Sequence, residues 1–315
     1  MKKFLLSVVA TLSFAASTGT IMPYGAYIHY GDKSTKDYAN LFGVYASYYD
    51  FPVKFELDGE YLKIKYKPVT ETITTTKVTT PTATPTTTST SSSSSNTSSV
   101  TTTYNYTYNP NDWNQYDLTF VAHYYQGYNW AYKAGIHNIF IDQKDNPDNY
   151  DKVLFGGVMY YVYLAYNAGV DFYYSMYDGY HVNQYTLFGG VNFGNYYAPG
   201  GSHYVEVKLN FINISDKNVT GKKNYVNAEA KYTNAQGPWA TTIGGDIGKN
   251  AYKVENGGFV VYSLNDEYKG KAYIKVNYSI DKTTGVGVEY TKTYFKERDQ
   301  DTFSDTYMLE FSKSF

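Results

Sequence analysis

Five histidines, His29, His123, His137, His181 and His203, are the side chains of this 315-residue chain best suited to exchange protons near neutral pH. Hydrolytic or acid–base chemistry would need a nucleophile, a base and an orienting group within hydrogen-bond reach. His123 and His137 fall on neighbouring segments and Asp117 shares the parity of His123, but spacing marks no nucleophile beside them. Scattered polar residues of this kind are more often structural, so no catalytic residue is assigned and the chain is not read as an enzyme. With zero cysteines and no His cluster at ligand spacing, neither a metal nor a cofactor is expected. Gly156-Gly157 and Gly200-Gly201 read as strand relief and a turn, not as a phosphate loop.

A second set of polar residues is ordered, not scattered. Lys54, Glu56, Lys63, Lys65, Lys133, His137, Glu206, Lys208, Glu229, Lys231, Lys275 and Glu289 sit at alternate positions between apolar neighbours. In an extended chain, alternate residues share one face, so these charges line a wet surface and their neighbours a greasy one. The clearest stretch has Ala272, Ile274, Val276, Tyr278 and Ile280 on one face, with Tyr273, Lys275, Asn277 and Ser279 on the other. The pattern recurs at Val205–Phe211, at Val226–Tyr232 against Asn227, Glu229 and Lys231, and at Leu118–Tyr124. No sustained helical period appears, which predicts an all-β chain. A secreted β-sandwich also alternates, but its strands run about 5–6 residues, whereas tilted membrane-spanning strands need about 9–11. Most runs here reach the longer range. Charges facing lipid at the midplane cost about 2–4 kcal/mol each, so the ordered set is expected to point into a lumen, with mixed signs and a weak net field.

The remaining sequence frames these strands. Lys2 and Lys3, the apolar stretch Phe4–Phe14 and the small residues Ala15, Ala16 and Ser17 predict a signal peptide over 1–17, leaving 18–315 as one domain. No later stretch is long and apolar enough for a spanning helix. A net charge of −2 excludes the basic surface that nucleic acid requires. Forty Tyr, 17 Phe and 3 Trp suit a surface where lipid meets water. Thr70–Thr103 is Ser/Thr-rich with almost nothing to bury, and is expected to be a disordered extracellular loop insertion. Long loops are expected at 31–39, 142–151, 213–224, 249–256 and 297–305, and short turns near 126–127, 167–169, 234–237 and 281–285. The phase slips between Val53/Phe55/Leu57 and Leu62/Ile64/Tyr66, which implies a bulge or tight turn at Asp58-Gly59. Strand counting from the two ends disagrees around Trp239–Phe259, and chain length favours 14 strands, with 12 or 16 as alternatives.

The chain ends in Phe315, preceded at alternate positions by Phe311, Leu309, Tyr307 and Phe303. This terminal strand resembles the C-terminal targeting signature of bacterial outer-membrane β-barrel proteins, with Lys313 as a departure from it. The resemblance implies a closed antiparallel transmembrane β-barrel and insertion by the barrel-assembly machinery, Tyr307, Leu309, Phe311 and Phe315 carrying the signal. It implies outer-membrane lipid and small solutes as partners and a porin-like channel for passive diffusion as the expected function. A structural or adhesive surface barrel is the alternative, and a barrel-wall enzyme is a third reading.

Overall fold

Runs that alternate apolar and polar residues over a dozen positions become long strands, because only a ladder satisfies the backbone while one face stays in lipid. In the computed structural model, which describes residues 19–79, 98–108, 110–143, 149–163, 165–195 and 200–315, this is the outcome. The expected signal peptide and the centre of the Ser/Thr tract, 80–97, lie outside the described residues. In chain order the strands are β1 (Gly19–Tyr30), β2 (Lys36–Asp50), β3 (Val53–Tyr66), β4 (Val69–Thr79), β5 (Ser98–Tyr108), β6 (Trp113–Gln126), β7 (Trp130–Gln143), β8 (Asn149–Val162) and β9 (Tyr166–Tyr177). They continue as β10 (Tyr180–Gly194), β11 (Ser202–Ile214), β12 (Asn224–Gln236), β13 (Trp239–Asn250), β14 (Val254–Glu255), β15 (Val260–Val261), β16 (Glu267–Ser279), β17 (Thr284–Glu297) and β18 (Gln300–Ser314).

Fourteen of these close into one antiparallel barrel, in the order β1-β18-β17-β16-β13-β12-β11-β10-β9-β8-β7-β6-β3-β2. The first and last strands seal it, Tyr24 opposite Glu310 and Tyr27 opposite Tyr307, so no edge is left open. The outer face is apolar: Phe42, Ile243 and Leu309 are each more than half exposed. Tyr307, Phe311 and Phe315 stand on the same outer face. Lys313 reaches from there to Thr283 Oγ1 and Thr284 Oγ1 at the rim, at 2.9 and 2.8 Å. Aromatic pairs mark both rims. Trp130–Tyr160 and Trp239–Tyr278 (centroids 5.1 and 4.6 Å) sit at the rim that carries Gly19 and Phe315, and Phe140–Tyr150 (5.0 Å) at the other. Their amphipathic rings suit the two lipid–water boundaries.

Three expectations need correction. β3 pairs with β6 without a break from Val53↔Tyr124 to Ile64↔Trp113, so there is neither bulge nor turn at Asp58-Gly59. Lys63 and Lys65 therefore share the outer face with Phe55 and Leu57, while the wholly buried Ile64 turns inward. Near the rim the exterior is wet, and both lysines pair with Asp112 at 3.3 and 2.5 Å. Second, 297–305 is not a long loop: β17 and β18 pair up to Glu297↔Gln300, and Arg298-Asp299 form a two-residue turn with φ of 45° and 68°. Likewise Asn167–Gly169 belong to β9, and the chain turns just before them. Third, the flanks of the Ser/Thr tract are not coil. Within the separate unit Tyr66–Pro110, β4 and β5 form a two-stranded ribbon from Val69↔Tyr108 to Thr79↔Ser98. The many β-branched threonines of this stretch favour extended backbone, which accounts for strand formation here.

Candidate functional site: the lumen and its inward-folded segment

The connection between β13 and β16, residues 251–266, turns back into the barrel and crosses the lumen. It descends from Asn250 to the level of Asp246, forms a minimal hairpin (Val254↔Val261, Glu255↔Val260) and returns to Glu267. The tip, Asn256-Gly257-Gly258, has three consecutive positive φ values of 48°, 72° and 113°. Gly258 is needed there for space as well, since a Cβ would lie 2.2 Å from Phe155 Cζ on β8.

Each part of the segment meets a different stretch of wall. Ala251 and Tyr252 are buried against Val182, Ile212, Ile214 and Tyr225. Val254 is buried among Val121, Val153, Phe155 and Tyr173. The Gln184 carboxamide pairs with the Val254 backbone both ways, each bond 2.8 Å, as a neighbouring strand would. Phe259 meets Tyr45 edge-on, Ser263 Oγ donates to Gln115 Oε1 at 3.1 Å, and Asp266 receives Lys36 at 2.7 Å.

Lys253 anchors the descent. Its side chain is fully buried, and Nζ lies 2.6 Å from Glu229, 2.8 Å from both Asp246 and Glu255, and 2.7 Å from Asn227 Oδ1. Burial alone would push the Lys253 pKa down. The carboxylates of Glu255, Glu229 and Asp246 outweigh it and hold the ammonium charged well above the usual lysine range. Burial likewise opposes ionisation of Glu255, but Lys271 and Lys253 hold it below the ordinary carboxylate range. The Tyr262 hydroxyl, 3.3 Å from Glu255 Oε2, is raised by burial and by that carboxylate. The oxygens of Glu229, Asp246 and Glu255 lie within 4.8 Å of one another, close enough to hold a cation, and the Lys253 ammonium occupies that position.

Of the ordered charges, Lys54, Glu56, Lys133, His137, Glu206, Lys208, Glu229, Lys231, Lys275 and Glu289 lie on the inward face, and Lys63 and Lys65 on the outward one. The inward residues form local pairs. Lys54 meets Glu56 at 2.7 Å, and His123 meets the other Glu56 oxygen at 2.5 Å. Lys133 meets Asp171 at 2.8 Å, Lys231 meets Glu206 at 2.9 Å, and Lys275 meets Glu310 at 2.7 Å. His137 Nδ1 lies 2.7 Å from Thr119 Oγ1, but that threonine is wholly buried and offers no face to a substrate. Below the segment a polar cavity of about 300 Å³ remains, lined by Glu206, Lys231, Glu255, Lys271, Lys275 and Glu289 among others.

Several site residues escape sequence reading. Lys253 and Glu255 lie in a stretch with no period, and Asp246 in the Gly-rich run after Ile243. Asp58 and Glu60 continue the parity of Lys54 and Glu56, and Lys271 that of Tyr273 and Lys275, so extending each run by two positions would have found them.

Neither a protein-family model nor a curated protein matches the chain. Solved structures do resemble it in fold. They include the "TodX deltaS2S3 mutant monoaromatic hydrocarbon channel" (TM-score 0.55, 10% identity, 97% of this chain and 92% of that one). The "CymD monoaromatic hydrocarbon channel" (0.54, 8%, 97% and 91%) and the toluene transporter TbuX of Ralstonia pickettii (0.52, 6%, 96% and 90%) are also similar. The closed fourteen-stranded wall, apolar outside and ionic inside, shares the fold of these hydrocarbon channels and of that transporter.

Proposed function

We propose that this protein is a channel for passive diffusion of small polar solutes, its lumen narrowed at mid-height by residues 251–266. The observation that carries the reading is the contrast between the two faces of the wall: the inner face presents ionised pairs around a polar cavity, which hold water and disfavour a hydrocarbon cargo. The inward segment supports selection by size, since it occupies the centre of the lumen and is anchored by a buried ion cluster. Recognition of the terminal strand by the barrel-assembly machinery is supported by the outward row Tyr307, Leu309, Phe311 and Phe315. In a planar bilayer the refolded protein should give discrete, steady conductance steps. A silent membrane over a folded, heat-modifiable barrel would refute the channel. A second reading, display at the cell surface, draws on the Thr-rich ribbon of Tyr66–Pro110, for which diffusion has no use. Removing 66–110 should leave conductance intact and abolish any binding of cells to immobilised host or partner-cell surfaces.

A further inference from the structure

The polar cavity beneath the inward segment is walled by β11, β12, β13, β16 and β17, and two of the ion pairs that their register offers are not made. Lys208 stands directly opposite Glu229, and Lys275 directly opposite Glu289, the placement in which opposite charges on neighbouring strands ordinarily pair. Glu229 turns instead to Lys253, at 2.6 Å, and accepts from Asn210 Nδ2 at 2.8 Å. Lys208 is left 3.4 Å from Glu206 Oε1, an oxygen that Lys231 already approaches to 2.9 Å. The other Glu206 oxygen accepts from the Tyr204 hydroxyl at 2.8 Å, so two ammonium groups share one carboxylate. On the far side of the cavity Lys275 reaches past β17 to Glu310, at 2.7 Å. Gly287 leaves room for this, since a Cβ there would fall 2.5 Å from Glu310 Oε1. Glu289 accepts from the Thr291 hydroxyl at 2.8 Å and has no ion-pair partner among the described residues.

The cavity thus has a cationic end on β11 and β12 and an anionic end on β17. The other charges that line its upper part, Glu229, Glu255 and Lys271, are engaged with the Lys253 anchor or with one another. Both ends meet water: the Lys208 and Lys231 side chains are 24% and 35% exposed, and Glu289 is partly exposed. β12 and β17 are three strand spacings apart, about 14 Å along the wall, and side chains reaching inward from a curved wall bring their charged tips nearer. An extended peptide covers about 3.3–3.6 Å per residue, so two or three residues span the gap. Thr242 and Tyr273 line the stretch between the ends and offer hydroxyls to peptide groups.

On the reading that the barrel conducts, we infer that this cavity binds short zwitterionic peptides, Lys208 and Lys231 holding the C-terminal carboxylate and Glu289 the N-terminal ammonium. A neutral solute supplies neither charge, and an ion of one sign satisfies one end alone. Loss of either charged contact should weaken binding by about ten- to a hundredfold, the range for a hydrogen bond to a charged group.

The test is calorimetric titration of trialanine into the folded barrel in detergent at low ionic strength, with interruption of single-channel current by the same peptide in a planar bilayer. Trialanine is expected to bind and to interrupt the current, and N-acetylation or C-terminal amidation should each weaken both effects about tenfold or more. Glu289→Gln should weaken trialanine and leave N-acetyl-trialanine unaffected. Lys231→Gln should weaken trialanine and leave its amide unaffected, and Lys63→Gln on the outer face should change neither. Equal binding of a peptide capped at both ends, or no binding to a channel that conducts, overturns this inference and leaves the channel reading standing. A silent membrane over a folded barrel overturns the channel reading, and the titration then decides the site by itself.

Discussion

Replacing Lys253 with methionine should release the inward segment without unfolding the barrel. Methionine keeps the volume of the aliphatic stem, so the lost term is the charge. The ammonium lies within 2.8 Å of Glu229, Asp246 and Glu255 and is wholly buried. Removing one partner from a buried ion cluster costs about 3–5 kcal/mol, because the remaining charges stay desolvated and now repel. At 1.36 kcal/mol per tenfold, the ratio of undocked to docked segment rises by about 2.2 to 3.7 orders of magnitude. The strand ladders of the wall are untouched, so the heat-dependent gel shift of a folded barrel should persist. The three carboxylates lie close enough to take up a cation in place of the ammonium, so the comparison belongs in EDTA at pH 8. Two readouts are expected to move together: larger or flickering conductance in planar bilayers, and faster hydrogen exchange at the Val254 amide, now held by Gln184. Wild-type conductance and wild-type exchange protection in Lys253→Met would show that the cluster does not hold the segment.

Three other outcomes follow from the same geometry. Gly258→Ala must adopt a φ of 113° and place its Cβ 2.2 Å from Phe155, so the segment should lose about 1–3 kcal/mol of docking, read as increased exchange at residues 256–260. Adding Phe155→Ala should recover only the steric part. Because Glu255 titrates below the ordinary carboxylate range, its contribution to docking is complete above about pH 4.3 and is lost as pH falls through its folded value. Asp266, raised by burial against the pull of Lys36, acts in the opposite sense and is more easily held when protonated. Docking, read as exchange protection at the Val254 amide, should therefore weaken in acid below about pH 4.3, with Glu255→Gln abolishing the Glu255 part of that change; unchanged protection in acid would contradict the assignment. Finally, Leu309→Lys sets a charge on the outer face of β18 opposite Gly25 and Val288, which at the midplane costs about 2–4 kcal/mol. The yield of folded barrel in outer-membrane fractions should fall, whereas Lys313→Leu at the rim should leave it unchanged.

The wall was legible because alternation is a property of each strand by itself. The greasy and wet faces of 205–211, 226–232 and 272–280 need no knowledge of which strand comes next, and β11, β12 and β16 present them as read. The error at Lys63 and Lys65 has a local cause. A polar residue near a strand end satisfies water outside the lipid band as well as water in a lumen, and the two are indistinguishable by type. The disagreement in strand count around Trp239–Phe259 has a physical source: residues 251–266 add chain and two tiny strands without adding to the wall.

By itself the sequence determined that this chain is a long-stranded β-barrel, which face of most strands meets lipid, and that its last strand ends in an outward apolar row. Each of these depends on residues two apart. Only the tertiary structure decided that 251–266 folds inward and what it does there, because its partners are distant in the chain. Val254 bonds with Gln184, Lys253 with Glu229 and Asp246, and Ser263 with Gln115. A segment without period has no preferred face until a closed wall surrounds it with carboxylates that need a cation and an apolar patch that needs a valine.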